Sequence, residues 1–465
     1  MTELDLAIRG ATVVTASESV RADIGIRGGR IVALADTLEG APREIDARGL
    51  LALPGGIDSH VHIAQPSGPG IVMADDFASA TAAAAAGGNT LVMPFALQAR
   101  GTSLRAAVES YRALAEGRCH VDVAMHMIVS DASPNVLGQE LPSLVKDGYT
   151  SFKVFMTYDD LVLSDRDLLQ VFDVARREGA LVMVHCEGYD AIRFLTERLE
   201  REGRTAPYYH AVSRPEIVER EAAHRAISHA ELVDVPIMIV HVSGREAMEQ
   251  VRWAQSRGLK VHAETCPQYI TLTAEDLRDA GLEMSGAKYV CSPPPRDRDS
   301  HAAIWEGLTQ GVFQTFSSDH CPFRYDSPEG KLTPRGRTSF RWVPNGIPGI
   351  ETRLPILFSE GVSKGRISLQ RFVELSSTNH ARIYGLARKG SIAVGYDADI
   401  ALWDPNRRET IRQEILHHGA DYTPWEGFEV VGWPVSTILR GEVIAEAGRV
   451  IGAPGQGRIL DRQPR

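Results

Sequence analysis

Hydrophobic residues recur along the middle of the chain with two alternating periods, one typical of strands and one typical of helices. Short apolar runs rich in β-branched residues are separated by longer stretches in which apolar positions follow a helical spacing. The eight runs span residues 56–63, 89–95, 121–128, 150–156, 180–186, 235–242, 259–265 and 312–319. Eight strands that are each followed by a crossover predict an α/β fold, a (β/α)8 TIM-like barrel.

The segments between these runs have the signals of helices. Examples are residues 74–88, 103–117 and 164–179, and several of the helix candidates begin after an acidic or hydroxyl residue and end at a glycine. Such residues cap the free amide groups at a helix start and allow the left-handed turn at a helix end. The middle of the chain therefore alternates strand and helix, as a barrel requires.

The two ends of the chain have a different pattern, in which apolar and polar residues alternate with period two between turn signals. It appears in LDLAIRGATVVTA and ADIGIRGGRIVAL near the start and in VSTILRGEVIAEAGRVIG near the end. We expect the two ends to pair as one small β-sandwich domain. The predicted domains are residues 1–53 plus 390–465 for this small domain and residues 54–389 for the barrel.

Composition and charge narrow the function classes. The 465 residues are 43% hydrophobic and 24% charged, and the formal net charge of -10 argues against a surface that neutralises nucleic-acid phosphates. No basic segment followed by an apolar core marks the N-terminus, and no window approaches the ~18 apolar residues of a membrane span. We expect a cytoplasmic protein that acts on a small molecule, with no nucleic-acid or membrane partner.

Candidate metal ligands occur where several of the predicted strands end. His60 and His62 are two residues apart, so on a strand both imidazoles point to the same face. His185, His241 and Asp319 end three further runs. A barrel brings the carboxyl ends of its strands together, and four imidazoles with a carboxylate suit zinc, manganese or iron. A single histidine is more often a packing residue, so the prediction depends on the combination.

Lys153 lies within the apolar run FKVFMTY, where a charged ammonium is costly unless it is paired or neutral. The segment alone fits a lysine on the solvated face of a strand. The strand of Lys153 also ends at the predicted metal centre, however, where a cation would be repelled. A neutral lysine reacts with carbon dioxide to give an anionic carbamate whose two oxygens can bridge two metals. We therefore expect an N6-carboxylysine at Lys153.

Eight motifs in one order resemble those of a known family. They are PGGIDSHVHI, FKVFMTY, VHCE, IVHVSG, ETCPQY, YVCSPPPR, SSDHCPF and PNGIPGIETRLPILFSEGV. The resemblance extends from about residue 3 to the end of the chain and includes KGSIAVGYDADIALWDP. The sequence is similar to the cyclic amidohydrolases of the amidohydrolase superfamily, in the dihydropyrimidinase and hydantoinase branch.

This resemblance implies a homo-oligomeric enzyme, a tetramer or a dimer, with two divalent ions in each site. Zinc is the expected metal and manganese the alternative. The resemblance implies six ligands, which are His60, His62 and Asp319 for the more buried ion, His185 and His241 for the other ion, and carboxylated Lys153 between the two ions.

The same resemblance implies the reaction and the residues that take part in it. The enzyme opens the cyclic amide of a hydantoin or a dihydropyrimidine to an N-carbamoyl amino acid. Tyr158 polarises the scissile carbonyl, and Ser292 and Asn345 bind the ring imide through main-chain groups. Asp319 takes a proton from the attacking water and delivers it to the leaving nitrogen.

The loop after the HxH pair departs from the family pattern. Family members carry an acidic residue and then a Pro-aromatic pair in this loop, whereas this chain has Gln65, Pro66 and Ser67. The loop contributes to the pocket for the ring substituent. We therefore expect a preference for small or polar substituents over bulky aromatic ones, unless Tyr325 or Trp342 supplies the missing apolar wall.

Three related functions are alternatives. Dihydroorotases place an arginine shortly after the HxH pair, and none occurs between His62 and Asp76, which argues against dihydroorotate as the substrate. Allantoinase remains an alternative, because allantoin is itself a substituted hydantoin. A non-catalytic scaffold of the same fold has lost metal ligands, whereas all six predicted ligand positions are intact in this chain.

Several other residues with ligand chemistry fit structural roles. The five cysteines are scattered and form no CxxC pair, which predicts free thiols. Cys321 lies near Asp319, but the predicted ligand set is complete without it. His320 is expected to point away from the metals if its strand continues. The remaining histidines of interest fit packing or surface roles, and they are His126, His224, His229 and His262.

Overall fold

The computed structural model describes residues 4–463, which contain two nine-stranded sheets. The strands are β1 Leu6–Val14, β2 Ser19–Arg27, β3 Arg30–Ala35, β4 Glu44–Asp46, β5 Leu51–Pro54, β6 Gly56–Val61, β7 Asn89–Leu97, β8 Asp122–Val123, β9 His126–Ile128, β10 Ser151–Phe155, β11 Leu181–His185, β12 Ile237–Ile239, β13 Val261–Thr265, β14 Thr315–Phe316, β15 Ile400–Thr410, β16 Glu429–Leu439, β17 Glu442–Glu446 and β18 Arg449–Val450.

Helices connect most of the barrel strands. The α-helices are α1 Phe77–Ala86, α2 Leu104–Ala115, α3 Leu141–Lys146, α4 Asp165–Glu178, α5 Tyr189–Arg201, α6 Tyr208–Ser213, α7 Glu216–Val233, α8 Arg245–Ser256, α9 Gln268–Thr271, α10 Arg298–Gln310, α11 Arg353–Leu357, α12 Leu369–Val373 and α13 Asn379–Tyr384. Short 3-10 helices span Ala274–Leu277, Ser285–Tyr289, Phe340–Trp342 and Gln413–Ile415, and π-helical turns span Val136–Glu140, Phe358–Ser363 and Glu374–Thr378.

The strands β6 to β14 form a parallel barrel. Neighbouring strands follow the order β6-β7-β9-β10-β11-β12-β13-β14, and β8 pairs with β7. A parallel bridge between Val61 and His320 closes the ring, and the His62 amide donates to the His320 carbonyl at 2.6 Å. The predicted (β/α)8 barrel is confirmed, and the third predicted strand is divided into β8 and β9.

Two barrel strands are much shorter than the apolar runs that predicted them. Strand β12 covers Ile237–Ile239 and strand β14 covers Thr315–Phe316. The backbone then leaves the extended conformation, because His241 has a φ of 40° and Asp319 a φ of 51°. Both residues therefore lie on loops just beyond the strand ends.

The predicted helices 74–88, 103–117 and 164–179 are confirmed as α1, α2 and α4. The start of α4 is capped by Ser164, whose hydroxyl accepts a hydrogen bond from the Asp167 amide at 3.2 Å. Its end is marked by Gly179, whose φ of 70° is the left-handed conformation that a glycine adopts without a steric cost.

Alternation along β10 and β11 decides which side chains reach the centre of the barrel. Phe152 and Val154 belong to the core between barrel and helices, whereas Phe155 belongs to the core inside the barrel together with Met183 of β11. Lys153 is two residues before Phe155 and therefore shares its inward direction. The apolar neighbours of Lys153 in the sequence thus face the helices, and Lys153 faces the barrel interior.

The second sheet combines strands from both chain ends. Its order is β3-β2-β1-β5-β15-β16-β17-β18, and β4 pairs with β1. Strands β5 and β15 join the two ends, with Pro54 opposite Ile400 in an antiparallel register. The sheet has its own apolar core, which includes Ile8, Ile24 and Leu402. The predicted fold class is confirmed, and the predicted boundaries of the two domains stay predictions.

No helix within residues 4–463 combines the length and the apolar content that a membrane crossing requires.

Candidate metal centre and active site

The six predicted metal ligands lie at the carboxyl ends of the barrel strands around one cavity of about 260 Å³. Five of them line the cavity, and these are His62, Lys153, His185, His241 and Asp319. His60 lies directly behind them and is fully buried. Barrel enzymes place their chemistry at this end of the strands.

Three of the six residues form a compact group. Nε2 of His60 lies 3.2 Å from Oδ1 of Asp319, and Nε2 of His62 lies 3.4 Å from the same oxygen. The ligand atoms of all three residues lie within 4.8 Å of one another. Two imidazole nitrogens and one carboxylate oxygen at this spacing can bind one divalent metal ion.

The other two histidines adjoin this group. The ring centroids of His185 and His241 are 4.5 Å apart, and the His241 ring is 5.3 Å from the His60 ring. Burial lowers the pKa of His185, and it holds the pKa of His241 well below its ordinary value. Both rings are therefore neutral near pH 7, which is the form that binds a metal.

Lys153 is held between the two groups. Its Nζ is 3.2 Å from Nε2 of His60, and the rings of Phe95 and Phe155 lie 5.2 Å and 5.3 Å from Nζ. Burial in this environment lowers the pKa of Lys153 to about 8. This amine therefore loses its proton more readily than that of a solvent-exposed lysine.

Carboxylates behind the predicted ligands orient two of the imidazoles. His60 Nδ1 is hydrogen-bonded to Glu264 at 2.6 Å, and His185 Nε2 is hydrogen-bonded to Glu187 at 2.7 Å. In each ring the other nitrogen, Nε2 of His60 and Nδ1 of His185, is left for a ligand. These donors fit the metal ions that the sequence predicts, because one nitrogen of each ring is anchored while the other remains available.

Sequence reasoning missed both of these carboxylates. Glu187 follows His185 by two residues in the VHCE motif, so its spacing was a usable signal. Arg214 donates to Glu187 at 2.6 Å, and although burial alone would raise the pKa of Glu187, Arg214 and His185 lower it to about 2. Glu264 is ionised less easily, because burial raises its pKa to about 7.

Gln65 also has a role that the sequence did not indicate. Its side-chain oxygen accepts a hydrogen bond from Nδ1 of His62 at 2.6 Å. Gln65 therefore holds the ring of His62 by a hydrogen bond to Nδ1, as Glu264 holds the ring of His60, but with an amide oxygen in place of a carboxylate oxygen. The loop that departs from the family pattern is thus connected directly to a predicted metal ligand.

Tyr158, Ser292 and Asn345 lie together at the cavity wall. Burial raises the pKa of Tyr158 to about 12, so its hydroxyl remains protonated at neutral pH and can donate a hydrogen bond. Ser292 is buried, and its hydroxyl lies 3.2 Å from Nε2 of His210. All three residues thus line the same cavity, and their role in binding the ring stays a prediction.

Three residues of this site have a left-handed backbone conformation. The φ values are 71° for Tyr158, 40° for His241 and 51° for Asp319, and residues other than glycine rarely adopt such values. Such conformations persist where the surrounding structure imposes them, and they cluster at active sites.

The wall of the cavity includes the loop after His62, which contributes Gln65, Ser67, Ile71 and Met73. Phe155 at the end of β10 and the loop residues Leu161 and Phe323 add to its apolar lining. Of the two alternative walls predicted from the sequence, Tyr325 is wrong, because it packs against Tyr422 and does not line this cavity. Trp342 lines an adjoining cavity of about 140 Å³ that shares Tyr158 and Asn345 with the first, so its role as a wall stays a prediction.

The other candidate residues have structural partners. His126 is hydrogen-bonded to Ser151 and to the Ser59 carbonyl, so its predicted packing role is confirmed. His320 does not lie on a continuing strand, and its Nε2 is 3.0 Å from Asp75. Cys321 lines the cavity and donates to the Asn345 carbonyl.

The remaining predictions on histidines and cysteines also hold. His224 is exposed on α7 and His229 is half-buried on the same helix, while His262 is half-buried on β13. All five cysteines fall within the described residues 4–463 and are free thiols there.

Comparison with known proteins identifies the relatives of this chain. The Amidohydrolase family matches residues 51–444. A D-hydantoinase of Ralstonia pickettii is 45% identical over 462 residues, which cover 99% of this chain and 99% of that protein. A solved structure of D-hydantoinase superposes with a TM-score of 0.96 at 45% identity and covers 99% of both chains.

A second solved structure extends the comparison. The crystal structure of dihydropyrimidinase from Brevibacillus agri NCHU1002 superposes with a TM-score of 0.95 at 41% identity and covers 98% of both chains. The likeness thus includes both the barrel and the sheet formed by the chain ends. The chain belongs to the amidohydrolase family, in its hydantoinase and dihydropyrimidinase branch.

Proposed function

We propose that the protein is a metal-dependent hydrolase that opens the cyclic amide bond of hydantoins or dihydropyrimidines and releases N-carbamoyl amino acids. The observation that carries this proposal is the group of His60, His62 and Asp319, whose ligand atoms lie within 4.8 Å of one another beside Lys153. The family and the full-length likeness to hydantoinases support the substrate class.

The proposed cofactors are two divalent ions, zinc or alternatively manganese, with N6-carboxylysine at Lys153. His60, His62 and Asp319 would hold the more buried ion, and His185 and His241 the other. Bound divalent ions would lower the pKa of a water and polarise the carbonyl of the substrate. The lowered pKa of Lys153 supports its modification. Its neutral nitrogen would form a bond to the carbon of carbon dioxide and lose one proton, which leaves an anionic carbamate.

The proposed roles of the protein side chains follow from their positions and protonation states. Asp319 would accept a proton from the attacking water and transfer it to the ring nitrogen as the carbon–nitrogen bond breaks. The carboxylate of Asp319 is ionised at neutral pH and so able to accept a proton, because, although burial alone would raise its pKa, His60, His62 and Lys153 outweigh burial and lower it.

Three further residues would hold the substrate. The protonated hydroxyl of Tyr158 would donate to the carbonyl oxygen as negative charge develops on it. The main chain at Ser292 and Asn345 would hydrogen-bond the ring imide, which every substrate of this class shares.

The alternatives are less well supported. The relatives described above are hydantoinases and a dihydropyrimidinase, which does not favour allantoinase. A non-catalytic scaffold does not fit the compact group of ligand atoms. We also propose, as the sequence predicts, a cytoplasmic homo-oligomer, a tetramer or a dimer, and the five free cysteines are consistent with a reducing compartment.

A metal analysis and a substrate panel test this function. Protein purified without chelator should contain about two divalent ions per chain and should open hydantoin or dihydrouracil faster than allantoin and simple cyclic imides. Asp319→Asn is the inactive control. Trace metal only, or no ring opening of either ureide by the metal-loaded protein, would refute the proposal.

A further inference from the structure

Lys331 is a second buried lysine, outside the metal centre. Its side chain is fully buried in the long loop that follows β14. Nζ donates to the Val290 carbonyl at 2.7 Å and to the Pro344 carbonyl at 2.6 Å. Both partners are neutral, and no carboxylate of the described residues 4–463 forms an ion pair with this ammonium.

An apolar side chain of similar length would be less costly at this position. Burial of a charged group without an opposite charge is unfavourable, and here burial lowers the pKa of Lys331 to about 7. Two main-chain carbonyls recover only part of this cost. The lysine is therefore expected to have a function that a methionine could not replace.

The two carbonyls belong to the segments that form the ring-binding wall. Val290 is two residues before Ser292, and Pro344 directly precedes Asn345. Ser292, Pro344 and Asn345 all line the cavity of the metal centre. The ammonium of Lys331 thus connects the two segments from behind, on the side away from the substrate.

The position of Lys331 is itself well defined. Its main-chain amide donates to the Arg324 carbonyl at 2.8 Å. Gly330 makes this contact possible, because a Cβ at Gly330 would lie 1.9 Å from the same oxygen. The ammonium also lies 5.9 Å from the ring of Phe323, which lines the cavity. Lys331 therefore connects the loop, the two segments and the cavity wall.

We propose that Lys331 is a positioning residue for ring recognition, which holds the segments at Ser292 and Asn345 at the separation that a cyclic ureide requires. This inference rests on the proposed function, because it assumes that the main chain of these two residues binds the ring imide. Lys331 does not itself line the cavity, so it acts through the two carbonyls that it binds.

The proposal predicts a particular kinetic signature. Main-chain contacts to the ring edge are made both in the bound substrate and in the transition state. Their loss therefore raises KM while kcat changes little. Damage to the metal ligands would instead lower kcat and the metal content.

The test compares three variants with the wild-type enzyme on hydantoin and dihydrouracil. Lys331→Met keeps the length of the side chain and removes both hydrogen bonds, whereas Lys331→Gln retains an amide donor. Lys389→Met is the matched control, because Lys389 is also buried but binds carboxylates away from the cavity. We expect KM to rise about tenfold in Lys331→Met, with kcat within about twofold of wild type. The KM of Lys331→Gln should lie between the KM of wild type and that of Lys331→Met. Lys389→Met should keep the wild-type KM.

Each result of these measurements either supports or overturns the positioning role of Lys331. A wild-type KM in Lys331→Met, or a fall in kcat without a change in KM, would overturn the positioning role. If Lys331→Met does not fold, the KM of Lys331→Gln decides, since an unchanged value overturns the role and a raised value supports it. A wild-type enzyme that opens neither ring would instead refute the proposed function, and this result is visible before any variant is made.

Discussion

His60, His62 and His185 each have one ring nitrogen fixed by a neighbouring side chain. Carboxylates bind His60 and His185, whereas His62 is bound by the neutral amide of Gln65. A carboxylate raises the basicity of the imidazole that it binds more than an amide does, and it orients the ring equally well. At the scale of single residues, His62 is therefore expected to be the one of these three histidines whose metal contact is most easily weakened.

Replacing Gln65 should weaken metal binding. Gln65→Leu removes the acceptor for Nδ1 of His62, so the ring loses its preferred tautomer and orientation. Loss of such a partner typically lowers metal affinity about 10–100-fold. Competition with a chelator measures the affinity directly, without an activity assay. Gln65→Glu keeps an acceptor and should bind metal at least as tightly as wild type. Unchanged affinity in Gln65→Leu would show that the hydrogen bond has no such function.

Lys153→Ala should abolish both activity and most metal binding. The variant lacks the nitrogen that would carry the bridging carbamate, and the loss of several kcal/mol of metal-dependent stabilisation corresponds to a decrease in kcat/KM of about a thousandfold or more. Short carboxylic acids should restore part of the rate, because their two oxygens can take the place of the carbamate. Lys260→Ala, at an exposed lysine paired with Asp234, is the control. Full activity in Lys153→Ala would show that Lys153 is a packing residue.

At the scale of elements, alternation along the strands explains how much of the site could be predicted. On β10 the period of two directs Lys153 inward while Phe152 and Val154 face the helices, so an apolar run with one lysine is enough to indicate its direction. The ends of the short strands could not be predicted, because His241 and Asp319 adopt left-handed conformations that only tertiary contacts impose.

Contacts distant in sequence also escaped prediction. Glu264 and His60 are separated by 204 residues, and the sequence around Glu264 contains no signal of that pairing. The hydrogen-bond partners of Lys331 could not be predicted either, because they are main-chain carbonyls, which no residue pattern identifies. The catalytic roles of the site residues stay predictions until the variants are measured.

The loop after β6 should determine the preference among ring substituents. Ser67 lines the cavity where the family pattern has an aromatic residue. An aromatic wall would contribute about 1–2 kcal/mol to an aryl substituent, so the wild-type enzyme should prefer hydantoin and dihydrouracil over phenylhydantoin. Ser67→Phe should raise kcat/KM for phenylhydantoin about tenfold relative to hydantoin, and Ser67→Ala is the control. A wild-type preference for phenylhydantoin would indicate that Ile71, Leu161 or Trp342 already provides the wall.

At the scale of the whole molecule, a cluster of buried charges joins the barrel to the sheet formed by the chain ends. Nζ of Lys389 binds Asp122 of β8 at 2.7 Å and Asp399, which precedes β15, at 2.6 Å. Arg440, which follows β16, binds Asp122 as well. Burial alone would lower the pKa of Lys389, but these carboxylates outweigh it and raise the pKa. The ammonium thus neutralises carboxylates from both parts of the molecule.

Lys389→Met should therefore destabilise the whole protein without affecting the chemistry. The variant leaves Asp399 buried without its cation and Asp122 with Arg440 alone, and breaking a buried charge pair costs about 3–5 kcal/mol. With an unfolding entropy of about 2.1 cal/mol/K per residue, this corresponds to a decrease in melting temperature of about 3–5 °C if the chain unfolds as one unit. Lys260→Met removes an exposed ion pair and should cost less than about 1 kcal/mol. Thermal unfolding of both variants decides the point, because equal melting temperatures would mean that the buried cluster does not stabilise the junction.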